Sequence, residues 1–296
     1  MHGMGKELMV IGGFFSFWLG ACVASFLNVV AWRLPRGESV VSPPSHCPKC
    51  NAPIRWWQNV PILSWLALRG RCAECGEPIS PRYIIVETIG GCLFLAAFIN
   101  VFGEFVAVYG ESAFLGWLNW VQLFVQWVWL SLMLVGSVID YDHKLLPDFV
   151  TVGGMALGVA KGAAFAAFCF VWQPNAEVVM KLHALLLSVS GLAFGFGLLW
   201  LVRFFGSMAF KREAMGMGDV FLMGAVGALF GPVAVLVTLI LSSVFGSVVG
   251  LSAVALSKTR LGRFTEIPYG PYICMGCLVW MFWGPQLVRA YLDMLK

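Results

Sequence analysis

Long apolar runs recur along the chain and are separated by short polar segments. About 20 apolar residues are enough to cross the hydrocarbon core of a bilayer as an α-helix, so each run predicts a membrane-spanning helix. The longest run is interrupted by Gly231-Pro232, which indicates a tight turn between two helices. The pattern therefore predicts about eight spans, at 8–32, 83–103, 112–139, 149–171, 182–202, 220–257 (two spans) and 267–288.

The first half of the divided run, 220–230, is short for a span. Either its helix extends back through Gly218 and Asp219, or it crosses only half of the membrane. The sequence leaves both options open.

The composition agrees with a polytopic, all-α membrane protein. Of 296 residues, 60% are hydrophobic and only 11% are charged, which lies outside the range of soluble domains. The first run, 8–32, carries no charge, and no small-residue cleavage site follows it. We therefore expect it to be an anchor and not a removed signal peptide.

The basic residues indicate the orientation of these helices. With the N-terminus outside, 14 of the 19 Lys and Arg residues fall in the inside segments 33–82, 140–147, 203–218 and 258–266. This bias is the one expected for cytoplasmic loops. It also accounts for the net charge of +4, and since no basic stripe with interleaved aromatic residues is present, nucleic acid is not an expected partner.

Four cysteines lie in the long polar loop 33–82, as "CPKC" (Cys47 and Cys50) and "CAEC" (Cys72 and Cys75). Two C-x2-C pairs are typical of a closed, structural zinc site. Two disulfides are the alternative, but the predicted cytoplasmic position disfavours them. His46 could replace one thiolate, although four cysteines suffice. A loop of this size buries little apolar surface, so we expect the metal to be needed for its folding.

A further pair, Cys274 and Cys277 in "CMGC", has the same spacing but lies in an apolar run without a second pair. We predict that these two residues pack between helices.

Aspartates carry the candidate chemistry. Four of the five, Asp140, Asp142, Asp148 and Asp219, are predicted at the same cytoplasmic membrane face, where ionisable groups indicate function. Two carboxylates in a poorly solvated site do not both ionise easily, so one keeps its proton while the other acts as a base on water. Such a pair hydrolyses peptides without a nucleophile or a catalytic metal. Glycines at 216 and 218 would let a substrate backbone approach Asp219, because glycine has no Cβ.

Each aspartate also has a structural alternative. Asp148 follows Pro147 and would be a helix N-cap, Asp142 would be a solvated loop charge, and Asp219 could equally cap its own helix. A carboxylate-gated transporter fits the same residues as well as a protease does, and a zinc-stabilised membrane scaffold is a further alternative. Transporters usually show internal repeats and charges near the membrane midplane, whereas here we find no repeat and the aspartates cluster at one face.

Five segments together resemble the type IV prepilin peptidases, a family of GxGD aspartyl proteases of the bacterial inner membrane. The segments are "GACVASFLNVVAWRLPRGES" (20–39), the cysteine-containing stretch 42–88, "IDYDHKLLPD" (139–148), "GMGD" (216–219) and "IPYGP" (267–271).

The resemblance implies that Asp140 and Asp219 form the catalytic pair, with Asp148, Gly216 and Gly218 in supporting roles. It also implies that the enzyme, embedded in membrane lipid, cuts the leader from type IV prepilins and type II secretion pseudopilins at the cytoplasmic face. The expected domains are a first span (1–32), a tetracysteine zinc module (33–82) and a transmembrane aspartyl peptidase core (83–296).

Family members with the four cysteines commonly also methylate the new N-terminal residue with S-adenosylmethionine, which predicts a second activity. No Rossmann-type GxGxxG is present to hold this methyl donor. Candidate residues are Glu38 and Glu87, although Glu87 could equally pair with an arginine at the membrane edge. A pure membrane methyltransferase would not need both Asp140 and Asp219.

Overall fold

The structure is a computed structural model that describes residues 2–109, 116–173, 177–213, 215–256 and 268–295. These residues form helices and no named strand. The α-helices are α1 (His2–Arg33), α2 (Leu63–Ala67), α3 (Arg82–Tyr109), α4 (Trp117–His143), α5 (Asp148–Trp172), α6 (Val178–Phe210), α7 (Met217–Phe230), α8 (Pro232–Leu256) and α9 (Gly270–Met294). Two short 3₁₀ turns, Leu34–Arg36 and Trp56–Asn59, lie in the long polar loop.

The all-α membrane fold expected from the apolar runs is confirmed. Within the described ranges, seven helices are long and apolar enough to cross a membrane, namely all except α2 and α7. Each predicted span coincides with one long helix or with α7. Residues 112–115, 257 and 267 of the predicted spans lie outside the described residues.

α7 answers the question left open for the short run. It begins at Met217 and so extends back through Gly218 and Asp219. With 14 residues its length is about 21 Å, which is still shorter than a hydrocarbon core of about 30 Å. The predicted turn follows it directly: Gly231 has a φ of +86° and its N–H donates to the carbonyl oxygen of Gly227 at 2.8 Å, and Pro232 then begins α8.

The chain divides into two compact units, residues 1–135 and 136–296. In the first unit, α1 packs along α3. A Cβ on Gly20 of α1 would lie 2.5 Å from the carbonyl oxygen of Gly90, so the two backbones touch where both residues are glycine.

In the second unit, α7 lies at the centre and packs against α5, α6, α8 and α9. Almost every side chain from Asp219 to Leu229 is buried, which explains why this helix is apolar on all sides. The three domains expected from the sequence, 1–32, 33–82 and 83–296, stay a prediction.

Candidate active site and metal centre

Asp140 lies in the last turn of α4 and is only 5% exposed. Its Oδ2 accepts a hydrogen bond of 3.0 Å from the backbone N–H of Gly270, the first residue of α9. The first N–H groups of a helix have no partner within the helix, and the N-terminus carries a partial positive charge. The start of α9 is therefore placed to hold a negative charge on Asp140.

Asp219 is the third residue of α7 and is 8% exposed. It lies close enough to Asp140 for the two charges to interact, and it also interacts with the backbone of Gly216. The structure thus brings together two of the four predicted aspartates, which lie 79 positions apart in sequence. A poorly solvated carboxylate pair of this kind shares one proton and can act as acid and base together.

Leu146 packs beside two glycines that adjoin the aspartates: Gly218, which precedes Asp219, and Gly270, which donates to Asp140. A Cβ on Gly218 would lie 2.7 Å from Leu146 Cβ, and a Cβ on Gly270 would lie 3.2 Å from Leu146 Cδ1 and 2.7 Å from Asp140 Oδ2. The close packing of Leu146 therefore explains why residue 218 is a glycine, and the sequence did not indicate this contact. Gly216 is less constrained, because its Cβ would approach Asp219 Oδ2 only to 3.5 Å. Its predicted role in admitting a substrate backbone stays a prediction.

Tyr269, the residue before Gly270, contacts α8, and sequence reasoning gave it no role. Its hydroxyl group lies 2.7 Å from Ser242 Oγ of α8 and 3.4 Å from Ser243 Oγ. The "IPYGP" segment contained the only sequence signal for this contact.

The other two aspartates lie outside the buried pair. Asp148 is exposed and is the first residue of α5, while Pro147 occupies the N-cap position, so the predicted N-cap is wrong by one residue. Its carboxylate still lies in the first helical turn, where negative charge is favourable. Asp142 is exposed as predicted, but it lies in the last turn of α4 and not in a loop.

Cys274 and Cys277 are both buried in α9, in agreement with the predicted packing role. The Cys274 side chain interacts with Ser137 and lies close enough to both carboxylates for electrostatic interaction. Cys274 is therefore a neighbour of the aspartate pair that sequence reasoning did not connect with it.

The four cysteines of the polar loop form a cluster that could hold a metal ion. The Sγ atoms of Cys47, Cys50, Cys72 and Cys75 all lie within 4.8 Å of one another, and the Cys47 and Cys75 Sγ atoms are 3.8 Å apart. A tetrahedral zinc ion with Zn–S bonds of about 2.3 Å requires sulfur atoms about 3.8 Å apart. All four thiols are free, which agrees with a metal site and not with the alternative of two disulfides.

The two cysteine pairs are held by equivalent backbone turns. The N–H of Cys47 donates to the carbonyl of Ala52 at 3.0 Å, and the N–H of Cys72 donates to the carbonyl of Glu77 at 2.8 Å. Asn51 and Gly76 follow the second cysteine of each pair, and both have a positive φ, +57° and +71°. The two C-x2-C motifs thus form a pair of matching knuckles, which an ion pair of 3.5 Å between Lys49 and Glu77 links.

His46 is a neighbour of the cluster and not one of its four ligands. It is exposed, and its Nδ1 lies 3.1 Å from the carbonyl oxygen of Pro44.

The thiol pKa values show why a cation suits this cluster. Hydrogen bonds from the backbone of Cys50 and Lys49 lower the pKa of Cys47 to about 6, so this residue provides a thiolate. At Cys75, the backbone hydrogen bond of Glu77 works in the same direction, but burial and the three neighbouring thiols outweigh it and raise the pKa to about 12. A cation between the four sulfur atoms would offset the repulsion that keeps the Cys75 thiol protonated, and would so allow it to ionise.

The two glutamates proposed for the methyl donor have different surroundings. Glu38 is exposed beyond the end of α1. Glu87 is buried in α3, and its Oε2 accepts a hydrogen bond of 2.7 Å from the backbone N–H of Ile62, the residue that precedes α2. Glu87 therefore holds a segment of the polar loop, and among the described residues no arginine forms an ion pair with it.

Two family profiles match the chain. The Bacterial Peptidase A24 N-terminal domain matches residues 18–101, and the Type IV leader peptidase family matches residues 127–251. The chain is also similar to proteins named prepilin leader peptidase/N-methyltransferase. In Stutzerimonas stutzeri the identity is 32%, over 93% of this chain and 92% of the relative. In Pseudomonas aeruginosa it is 30%, over 93% and 91%.

The protein of that name in Myxococcus xanthus is 38% identical over 85% of this chain, which spans 66% of that longer relative. No solved structure matches this chain significantly.

Proposed function

The chain belongs to the type IV leader peptidase family, and from this premise we propose that it removes the leader peptide from type IV prepilins and type II secretion pseudopilins. The observation that carries the proposal is the meeting of Asp140 and Asp219, two buried carboxylates from α4 and α7. A pair of this kind supplies both the base and the acid of peptide hydrolysis.

In the proposed reaction, the ionised carboxylate removes a proton from a water molecule, and the oxygen of that water attacks the scissile carbonyl carbon. The protonated carboxylate donates a hydrogen bond to the carbonyl oxygen. When the C–N bond breaks, the leaving amine takes up a proton from the pair. The net reaction consumes one water and leaves the pair with its single shared proton.

The helix ends around the pair support this chemistry. The Gly270 N–H group of α9 stabilises negative charge on Asp140, and Asp219 lies in the positively polarised first turn of α7. Leu146 packs against Gly218, the residue before Asp219, and adds an apolar group beside the pair.

We place the site at the cytoplasmic face of the inner membrane. The support is the excess of Lys and Arg in the segments that share a side with both aspartates. A prepilin joins a polar leader to an apolar helix, so its scissile bond lies at the membrane boundary. A carboxylate pair at helix ends fits a substrate cut at that depth.

For the tetracysteine cluster we propose a structural zinc ion. Four thiols leave no open coordination position, so the metal would hold the two knuckles together and would not bind substrate. The polar loop between α1 and α3 contains only one short α-helix and two 3₁₀ turns, which makes a metal necessary for its folding.

We also propose that the chain methylates the amine that cleavage releases. S-adenosylmethionine, when bound, supplies the methyl group: the S–CH₃ bond breaks, an N–CH₃ bond forms, and the amine gives one proton to solvent. The support is the family membership together with the presence of the polar loop with its four cysteines.

The test uses the detergent-purified full chain, a prepilin and S-adenosylmethionine, with the intact mass of the pilin as readout. We expect the wild type to shorten the substrate by its leader and to add one methyl group. Asp140→Asn and Asp219→Asn are expected to abolish shortening, while Asp148→Asn, outside the buried pair, should only lower it.

Cleavage that survives either Asn variant would refute the carboxylate pair, and equal, total loss in all three variants would refute the choice of these two residues. Shortening without the added mass would remove the second activity. A prepilin left intact by a folded wild-type chain would favour a carboxylate-gated transporter.

A further inference from the structure

A cavity of about 340 Å³ lies in the first unit, where the C-terminal half of α1 meets the first part of the polar loop. Cys22, Phe26, Val29 and Arg33 line it from α1. These positions recur every three or four residues, so they lie on one face of the helix. The volume is within the range of pockets that bind small molecules. Neither the aspartate pair nor the cysteine cluster contributes to the lining.

The lined face of α1 runs from the membrane boundary into the span. Arg33 ends α1 and is the first charged residue after the uncharged run 8–32. Cys22 lies eleven residues earlier, which is about 16 Å along the helix axis. Half of the hydrocarbon core of a bilayer measures about 15 Å. The lined face is therefore about as long as one leaflet is thick.

Arg33 gives this cavity its charge, and it is only 8% exposed. Its Nη1 donates a hydrogen bond of 3.1 Å to the carbonyl oxygen of Ser39, which uses one of the five guanidinium N–H groups. Within the described ranges, no carboxylate forms an ion pair with it. A buried cation without a counter-charge is costly, so an anion bound beside Arg33 would be stabilised.

The apolar part of the cavity indicates the kind of anion. Phe26 is 54% exposed and Cys22 is also exposed, although both lie within a membrane-spanning helix. Exposed side chains at this depth face lipid chains, so this part of the cavity is open to the bilayer. A small water-soluble anion would leave Phe26 and Val29 without a partner. A lipid would place its polar group at Arg33 and an acyl chain along these two residues.

The polar part of the lining favours a particular headgroup. Basic pockets at the membrane boundary bind lipid phosphates, and a guanidinium group can donate to two phosphate oxygens at once. Ser25, Ser45 and Asn59 add groups that can hydrogen-bond to hydroxyls. Among the described residues that line the cavity there is no Asp or Glu, so an ammonium group in the headgroup would find no counter-charge.

The wall opposite α1 is held in place by α3. Pro61 lines the cavity, and the N–H of the next residue, Ile62, donates to Glu87 Oε2 at 2.7 Å. Glu87 is thus a positioning residue for this wall. Because the wall is fixed by protein contacts, a ligand would enter a formed cavity and would not have to order the loop itself.

We propose that this cavity binds an anionic phospholipid whose headgroup carries hydroxyl groups and no cation. Arg33 pairs with the phosphate, and the face from Val29 to Cys22 contacts an acyl chain. The inference depends on the membrane-spanning α1 and not on the proposed peptidase or methyltransferase activity, so its failure would leave both of these standing.

The test counts lipids bound to the delipidated, detergent-purified full chain by native mass spectrometry during titration with dioleoylphosphatidylglycerol. We expect one lipid to bind more tightly than those that follow. Arg33→Gln is expected to weaken this first binding by about 10- to 100-fold, as for loss of a charge-assisted hydrogen-bonded pair. Arg33→Lys keeps the charge but loses the fork of donors, and it should give an intermediate affinity.

Arg36→Gln is the matched control, because it removes the same charge from a residue that is exposed, contacts Trp32 and does not line the cavity. Its first lipid should bind within about twofold of the wild-type affinity, as for loss of a surface charge. Ser25→Phe, which fills the cavity without changing a charge, should weaken the first binding. This variant keeps the inference testable if Arg33→Gln does not fold, as judged by its thermal unfolding.

Two further ligands separate the parts of the lipid. Dioleoylphosphatidylcholine has the same chains and phosphate but adds an ammonium group, and it should bind the first site about tenfold more weakly because that group lacks a counter-charge. Glycerol 3-phosphate has the phosphate without the chains. It should not displace phosphatidylglycerol at equal concentration, because it buries no apolar surface against Phe26 and Val29.

Wild-type affinity of the first site in both Arg33→Gln and Ser25→Phe would overturn the cavity as the lipid site. Equal weakening by Arg33→Gln and Arg36→Gln would overturn the assignment to Arg33 and indicate an effect of surface charge alone. Displacement by glycerol 3-phosphate would overturn the lipid in favour of a soluble phosphate compound. Equal affinity for the two lipids would overturn the preference for an anionic headgroup.

Discussion

Replacing Gly270 with alanine tests the geometry of the aspartate pair most directly. The added Cβ would lie 2.7 Å from Asp140 Oδ2 and 3.2 Å from Leu146 Cδ1, whereas ordinary van der Waals contact begins at 3.4 Å. The carboxylate or the start of α9 must therefore move by about 0.7 Å. A displacement of roughly 1 Å at a reacting group costs about 100-fold in rate, so we expect kcat for leader removal to fall by about 30- to 100-fold.

The assay follows cleavage of a prepilin by the detergent-purified Gly270→Ala variant over a range of substrate concentrations. We expect a loss in kcat with a smaller change in KM, because the substitution moves a reacting group and not the substrate helix. Gly197→Ala is the control: it lies in α6 and its added Cβ meets no atom within 4 Å. Overpacking costs about 1–3 kcal/mol, so thermal unfolding must show that the variant is folded. Wild-type kcat in folded Gly270→Ala would refute the assigned geometry.

Three further predictions concern residues that support the two sites. Tyr269→Phe removes the contact with Ser242 and should lower kcat by roughly fivefold, the equivalent of about 1 kcal/mol; an unchanged kcat would show that Tyr269 does not fix Gly270. Cys47→Ser with Cys72→Ser should abolish bound zinc, measured by elemental analysis, and should lower stability or methylation before cleavage; full zinc content would contradict the cluster. Lys161→Met leaves the Leu229 carbonyl unpaired and should lower unfolding stability by about 1–3 kcal/mol, with partial recovery in Lys161→Arg; equal stability of all three chains would refute this contact.

The sequence predicted the parts of this protein that depend on local patterns. Apolar runs located the membrane helices because a bilayer imposes a minimum length on them. Gly231-Pro232 located the turn after α7, since proline cannot continue a helix without losing a hydrogen bond. Two C-x2-C pairs indicated the cysteine cluster, because both pairs can bind the same tetrahedral ion.

Contacts between distant residues could not be predicted in this way. Gly270 donates to Asp140 across 130 positions, and no periodicity in either segment indicates that bond. Arg33 was counted among the topogenic charges, and only the packing of the polar loop over α1 shows that it is buried. Leu146 lies in the segment 139–148, but nothing in that segment indicated its packing, because a leucine in a short connection is compatible with many environments.

The shortness of α7 connects these observations with the depth of the proposed reaction. If its first turn, with Asp219, lies at the membrane face, a helix of about 21 Å must end within the hydrocarbon. Carbonyl groups at such an end find no water and need other partners. The Gly231 N–H bonds to the Gly227 carbonyl at 2.8 Å, and Lys161 Nζ bonds to the Leu229 carbonyl at 2.5 Å.

The buried end of α7 is therefore capped by a cation from α5, which also complements the negative end of the helix dipole. A lysine within an apolar span costs free energy, and the bond to the Leu229 carbonyl explains why Lys161 is present there. Because Lys161 holds the C-terminal end of α7, Asp219 at the N-terminal end of this helix has a defined position. In the proposed reaction, Asp219 acts at the depth where the polar leader of the substrate joins its apolar helix, so one requirement of that substrate would account for Lys161 and for both aspartates.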